Sequence, residues 1–113
     1  MIFAVDFDGT IVEHCFPGIG EELPHAIYVL KKLQEAGHKI IIWTCRCDFN
    51  LLPMLGWLES KGFTPDAVNC NIGQVPRGLA VPKILADVYL DDRSFPPFSG
   101  WMEVHRKFVP ISE

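Results

Sequence analysis

The chain has 113 residues, 49% of them hydrophobic and 21% charged, with a formal net charge of -4. One domain with a real core fits that length and two do not, so a single domain over residues 1–113 is expected, and the composition excludes a disordered chain. The acidic balance argues against nucleic acid as a general partner, because binding it takes a basic face that displaces counterions; an acidic enzyme that handles a phosphate ester locally stays open.

The first residues, Met-Ile-Phe-Ala-Val-Asp, carry no basic stretch and no long apolar stretch, so they do not read as a signal peptide. No apolar run approaches the ~18–20 residues of a membrane span. A cytoplasmic protein with no membrane partner is therefore expected. Cys15, Cys45, Cys47 and Cys70 include no pair at zinc-knuckle spacing and read as reduced thiols.

In chain order, Ile2 to Phe7 is a short apolar run that reads as a strand buried on both faces. Asp8 to Glu22, with Gly9, Pro17, Gly18 and Gly20, reads as a loop or small hairpin. A helix follows, with Pro24 in its first turn, Leu23, Ile27, Leu30 and Leu33 on one face, and Gly37 as its stop. Lys39 to Trp43 is a second buried strand. Asp48 or Asn50 is placed to cap a second helix in which Leu51, Leu55 and Leu58 share a face and which Gly62 ends. Asp66 to Asn69 is a third strand, residues 71–82 a loop, and Ala86 to Leu90 a fourth strand. Ser99 to Phe108 is a last helix, with Trp101, Val104 and Phe108 on one side; Val109-Pro110-Ile111 either adds an edge strand or packs down. Alternation of this kind predicts an α/β layer sandwich with a parallel sheet, whose ligands bind outside the carboxyl ends of the strands.

The polar residues fall where that rule becomes informative. The first strand runs into Asp6 and Asp8, the second into Thr44 and the fourth into Asp91 and Asp92. In a parallel sheet all of these reach one edge. Four carboxylates gathered there repel one another, and oxygen donors of this kind suit Mg²⁺. Lys83, just before the fourth strand, is placed to bring a fixed positive charge to the same edge. Arg46, two residues after Thr44, is read either as a contact for a second anionic group of a substrate or as a partner for one of the carboxylates.

These residues carry a resemblance. Asp6-Phe7-Asp8-Gly9-Thr10 resembles the first motif of the haloacid dehalogenase superfamily, most of whose members are phosphatases. Thr44 after Ile-Ile-Ile-Trp looks like the second motif, Lys83 like the third, and Asp91-Asp92 after Val-Tyr-Leu like the fourth. The resemblance implies a three-layer Rossmann-like sandwich with a small parallel sheet. Neither insertion point, after Asp8 or before Lys83, has room for a cap domain, so a capless member with an open site is expected. It also implies a Mg²⁺-dependent phosphatase acting on a phosphate monoester, small or macromolecular. In that reading Asp6 is the nucleophile, Asp8 the general acid and base, and Thr44 a hydrogen-bond donor to the phosphoryl group. Lys83 neutralises charge, and Gly9, Thr10 and Arg46 neighbour the substrate. Mg²⁺ is held by Asp6, the Asp8 carbonyl, and Asp91 or Asp92.

Two alternatives stand beside this. A receiver-like module also takes phosphate on an aspartate, but its phosphorylated aspartate ends the third strand, where this chain has Asn69. A non-catalytic phosphate- or metal-binding module on the same fold is the other. The aromatic residues near the C-terminus, together with the missing cap, hint at a homo-oligomer.

Overall fold

Four short parallel strands form the centre of the computed structural model, which describes residues 1–74 and 83–110. The strands are β1 (Ile2–Val5), β2 (Lys39–Ile42), β3 (Ala67–Val68) and β4 (Val88–Leu90), in the sheet order β3-β2-β1-β4. Their register pairs Val5 with Ile42 on one side and with Leu90 on the other. Ladder bonds run one residue past the strands: Asp6 N donates to Leu90 O, Trp43 N to Val5 O and Asn69 N to Ile42 O. The residues that follow every strand therefore emerge at one edge.

Three helices, α1 (Ala26–Glu35), α2 (Leu51–Ser60) and α3 (Trp101–Phe108), complete the described architecture. Alternation along the strands decides what each face meets. Phe3, Val5, Ile40 and Ile42 point into one large cluster with Leu30 and Leu33 of α1, Met54 and Leu58 of α2, and Trp101 and Val104 of α3. The other face carries Ala4 and Ile41, covered by Ile72, Ile84 and Ala86 from the connection between β3 and β4. Among the described residues that face has no helix, so the expected third layer is a packed segment of chain. β1, β2 and β3 step in one direction across the sheet, and the chain then crosses back past β1 to place β4, so the described residues on this face come from that crossover. Most of the 71–82 loop expected from the sequence, residues 75–82, lies outside the described residues, as does Ile111 of the tail.

Element boundaries shift by a few residues. The chain turns at Pro24 and at His25, whose left-handed backbone (φ 67°) precedes α1. A short 3₁₀ turn over Asp48–Asn50 leads into α2, and Asn50 makes no side-chain cap bond. The face that α2 buries is Leu51, Met54 and Leu58; Leu55 points outward. On α3, Trp101, Val104 and Phe108 all face the core as expected. Trp101 is 2% exposed, which removes much of the ground for an aromatic association surface near the C-terminus; Phe95 is the fully exposed ring there. No helix among the described residues is long and apolar enough to cross a membrane.

Candidate active site

The sheet order reverses between β1 and β4, and the loops leaving two neighbouring strands diverge at such a point to open a crevice. Here the crevice is a cavity of about 310 Å³ lined by Asp6, Asp8, His14, Phe16, Thr44, Cys45, Arg46, Asp91, Asp92 and Arg93. Eight of the nine candidate residues named from the sequence take part in it or support it directly, and they divide into two groups.

The first group is an acid trio. Carboxylate oxygens of Asp6, Asp91 and Asp92 lie within 4.8 Å of one another. Burial, then the charges of Asp91 and Asp92, push the Asp6 carboxyl from its ordinary 3.8 up to about 7. For Asp92, desolvation raises the carboxyl, but hydrogen bonds from His14 and Asp91 outweigh it and hold the group below the usual carboxylate range. His14 Nε2 lies 2.9 Å from Asp92 Oδ2. Thr10, fully buried, ties the trio together: its hydroxyl reaches Asp6 Oδ2 at 3.4 Å and accepts a bond from Asp92 N at 3.2 Å. Its carbonyl accepts from Trp101 Nε1 at 2.8 Å, which anchors the turn on α3. Gly9 (φ 90°) is required on two counts, since a Cβ there would also strike His14 and Asp92.

The second group surrounds Asp8. Arg46 donates Nε–H to Asp8 Oδ2 and Nη2–H to Asp8 Oδ1, both at 2.8 Å. The remaining N–H groups go to carbonyls: Nη2 to Gly18 at 2.7 Å, Nη1 to Pro17 at 3.1 Å and to Asn50 at 3.3 Å. All five guanidinium donors are thus used within the fold. Of the two sequence readings of Arg46, carboxylate partner is what the structure displays, and the guanidinium has no donor left for a substrate in this arrangement. Thr44 N donates to Asn69 Oδ1, and Thr44 Oγ1 accepts from Arg46 N at 3.0 Å. The Thr44 hydroxyl proton is then free to donate into the cavity. Asn69 also donates from Nδ2 to Arg46 O, from a left-handed backbone (φ 51°), and so braces the whole 44–46 turn.

Lys83 is exposed and is not among the cavity-lining residues; its carbonyl accepts from Asn71 Nδ2. Among the described residues the exposed guanidinium at the rim is that of Arg93, which the sequence reading did not single out. Its position directly after Asp91-Asp92 was the available signal. All four cysteines are free thiols, with Cys45 at the cavity wall.

The same fold is found in a conserved protein from Bacteroides thetaiotaomicron, 38% identical, with a TM-score of 0.85 over 94% of this chain and 87% of that one. The chain belongs to that protein's family. No family model and no curated protein matches it.

Proposed function

We propose that the chain is a metal-dependent phosphatase of the haloacid dehalogenase type, acting on a phosphate monoester. The observation that supports this most is the acid trio: three carboxylates converge at the strand-order reversal, where burial and then the charges of Asp91 and Asp92 push the Asp6 carboxyl up to about 7. Hard oxygen donors with that mutual repulsion fit a divalent cation such as Mg²⁺, held by Asp6, Asp91 and Asp92 with the Asp8 carbonyl. A bound cation supplies charge neutralisation between nucleophile and phosphate and orients the phosphoryl group.

The chain's own groups do the remaining work. An Asp6 carboxylate oxygen attacks phosphorus, the ester oxygen departs, and Asp8 delivers its proton to that oxygen. A water molecule then gives its proton to Asp8 and attacks the aspartyl-phosphate, releasing inorganic phosphate and restoring Asp6. The Thr44 hydroxyl donates to a phosphoryl oxygen, and Arg93 meets the substrate's negative charge at the rim. The role that the resemblance gives to Lys83 requires its side chain to face the crevice.

A second reading, a non-catalytic phosphate- or metal-binding module, is favoured by one observation: Lys83, the cation that the resemblance assigns to the reaction, is exposed and does not line the cavity. Turnover of an aryl phosphate by wild type and Asp6→Asn, with Mg²⁺ and then with a chelator, separates the two. Activity that needs both Asp6 and metal supports the phosphatase. A folded wild type that binds Mg²⁺ and yields no phosphate supports the module.

A further inference from the structure

We propose that Arg46 is a positioning residue that couples the seating of the 16–18 loop to the placement of Asp8; the catalytic half of this inference rests on the phosphatase reading above. Its side chain is 1% exposed, the largest fully buried side chain among the described residues, and it is charged. Burying an arginine this deeply is costly unless every donor is met and a counter-charge is near, and both conditions hold. What it joins is informative. Two donors grip Asp8, two take the Pro17 and Gly18 carbonyls of the loop after the first motif, and one takes Asn50 at the start of α2.

The rings on either side complete the clamp. The guanidinium carbon lies 5.4 Å from the Phe7 ring centre and 5.1 Å from that of Phe16. Phe7 is fully buried, whereas Phe16 is 56% exposed and lines the cavity. Few other bonds hold this stretch of loop. Glu13 N donates to Glu21 O and Leu23 N to Ile11 O at its base, so the tip depends on Arg46. Asp8 is likewise held by its side chain through Arg46 on both oxygens. One planar fork thus sets two things at once: the loop that walls the cavity and the carboxylate that faces it. Lysine, with a single ammonium, cannot reproduce this pattern.

The test uses Arg46→Lys, Asp8→Ala and their double variant in the full chain, with Arg46→Ala as a harsher companion. The first readout is the ¹⁵N order parameter of the Gly18, Ile19 and Gly20 amides. Because coupling is reciprocal, both single variants lower it from the rigid range of about 0.85 to below about 0.6, and the double variant lowers it no further. Unchanged loop order in Asp8→Ala, with a folded protein, overturns the coupling. The second readout is aryl phosphate turnover: Arg46→Lys lowers kcat about 10²-fold with KM little changed, as expected for a displaced reacting group. In an Asp8→Asn background the same substitution has no further effect on kcat. A rise in KM alone assigns Arg46 to substrate binding and overturns the proposal, as does an equal loss in both backgrounds. If wild type turns nothing over, the phosphatase reading falls while the loop measurement still decides the coupling.

Discussion

Asp6 and Asp8 are separated by one residue and face the same cavity, yet their surroundings are opposite. Around Asp8 the charge is closed within the fold: a buried guanidinium takes both oxygens and spends its other donors on backbone carbonyls. Around Asp6 the charge is open: burial and then the charges of Asp91 and Asp92 push its carboxyl up to about 7. One side is complete as folded and the other is arranged at the expense of stability. The proposed cation site rests on this contrast, since a divalent ion would offset the repulsion among the three carboxylates.

The comparison is sharpest where the two sides respond with opposite sign to loss of a charge. Arg46→Ala leaves Asp8 and three carbonyls without partners. We expect a loss of about 3 kcal/mol, the low end for a broken buried pair because Asp8 keeps some solvent, measured by urea unfolding at pH 7. A neutral result would mean that the Asp8 side is not closed by Arg46. Gly9→Ala comes next: the left-handed backbone and the lack of room against His14 and Asp92 lead us to expect about 1–3 kcal/mol of destabilisation by thermal unfolding.

Asp6→Asn should act in the other direction. Without metal at pH 8 it removes one of three repelling charges, and since partial exposure screens that repulsion the gain is about 1–2 kcal/mol. The sign follows from linkage: the folded carboxyl at about 7 lies above its ordinary 3.8, so its favourable contribution is full below about 3.8 and is lost as pH rises through about 7. The advantage of Asp6→Asn over wild type therefore grows across that window in chelator, and Mg²⁺ reduces it. An advantage that is flat with pH would break the contrast. The smallest effect is expected of His14→Ala. Its bond to Asp92 is half-exposed, so unfolding should shift by no more than about 1 kcal/mol and lose even that in high salt.

The parts of this arrangement that were legible in the sequence are those set by local pattern. Apolar runs ending in Asp6, Thr44 and Asp91 define the strands, and parallel pairing brings their ends together. What could not be read locally depends on reach across the fold. Arg46 meets Asp8 across 38 positions and His14 meets Asp92 across 78, so neither choice of partner leaves a mark in spacing. The buried face of α2 was misread for a related reason: Leu51, Leu55 and Leu58 satisfy a helical stripe as well as Leu51, Met54 and Leu58 do, and only the position of the sheet decides between them. The second face of the sheet, which among the described residues is covered by Ile72, Ile84 and Ala86, belongs to the crossover to β4, whose composition alone does not say what it covers.

The bond from Trp101 to the Thr10 carbonyl has a practical side. The indole is buried, and its hydrogen-bond acceptor belongs to the residue whose hydroxyl touches Asp6 and whose side chain receives the Asp92 amide. A change in charge at the trio therefore reaches this ring through a single residue. Of the three tryptophans it is the one coupled in this way, so the proposed cation binding has an intrinsic optical probe, readable by titration with no label and no substrate.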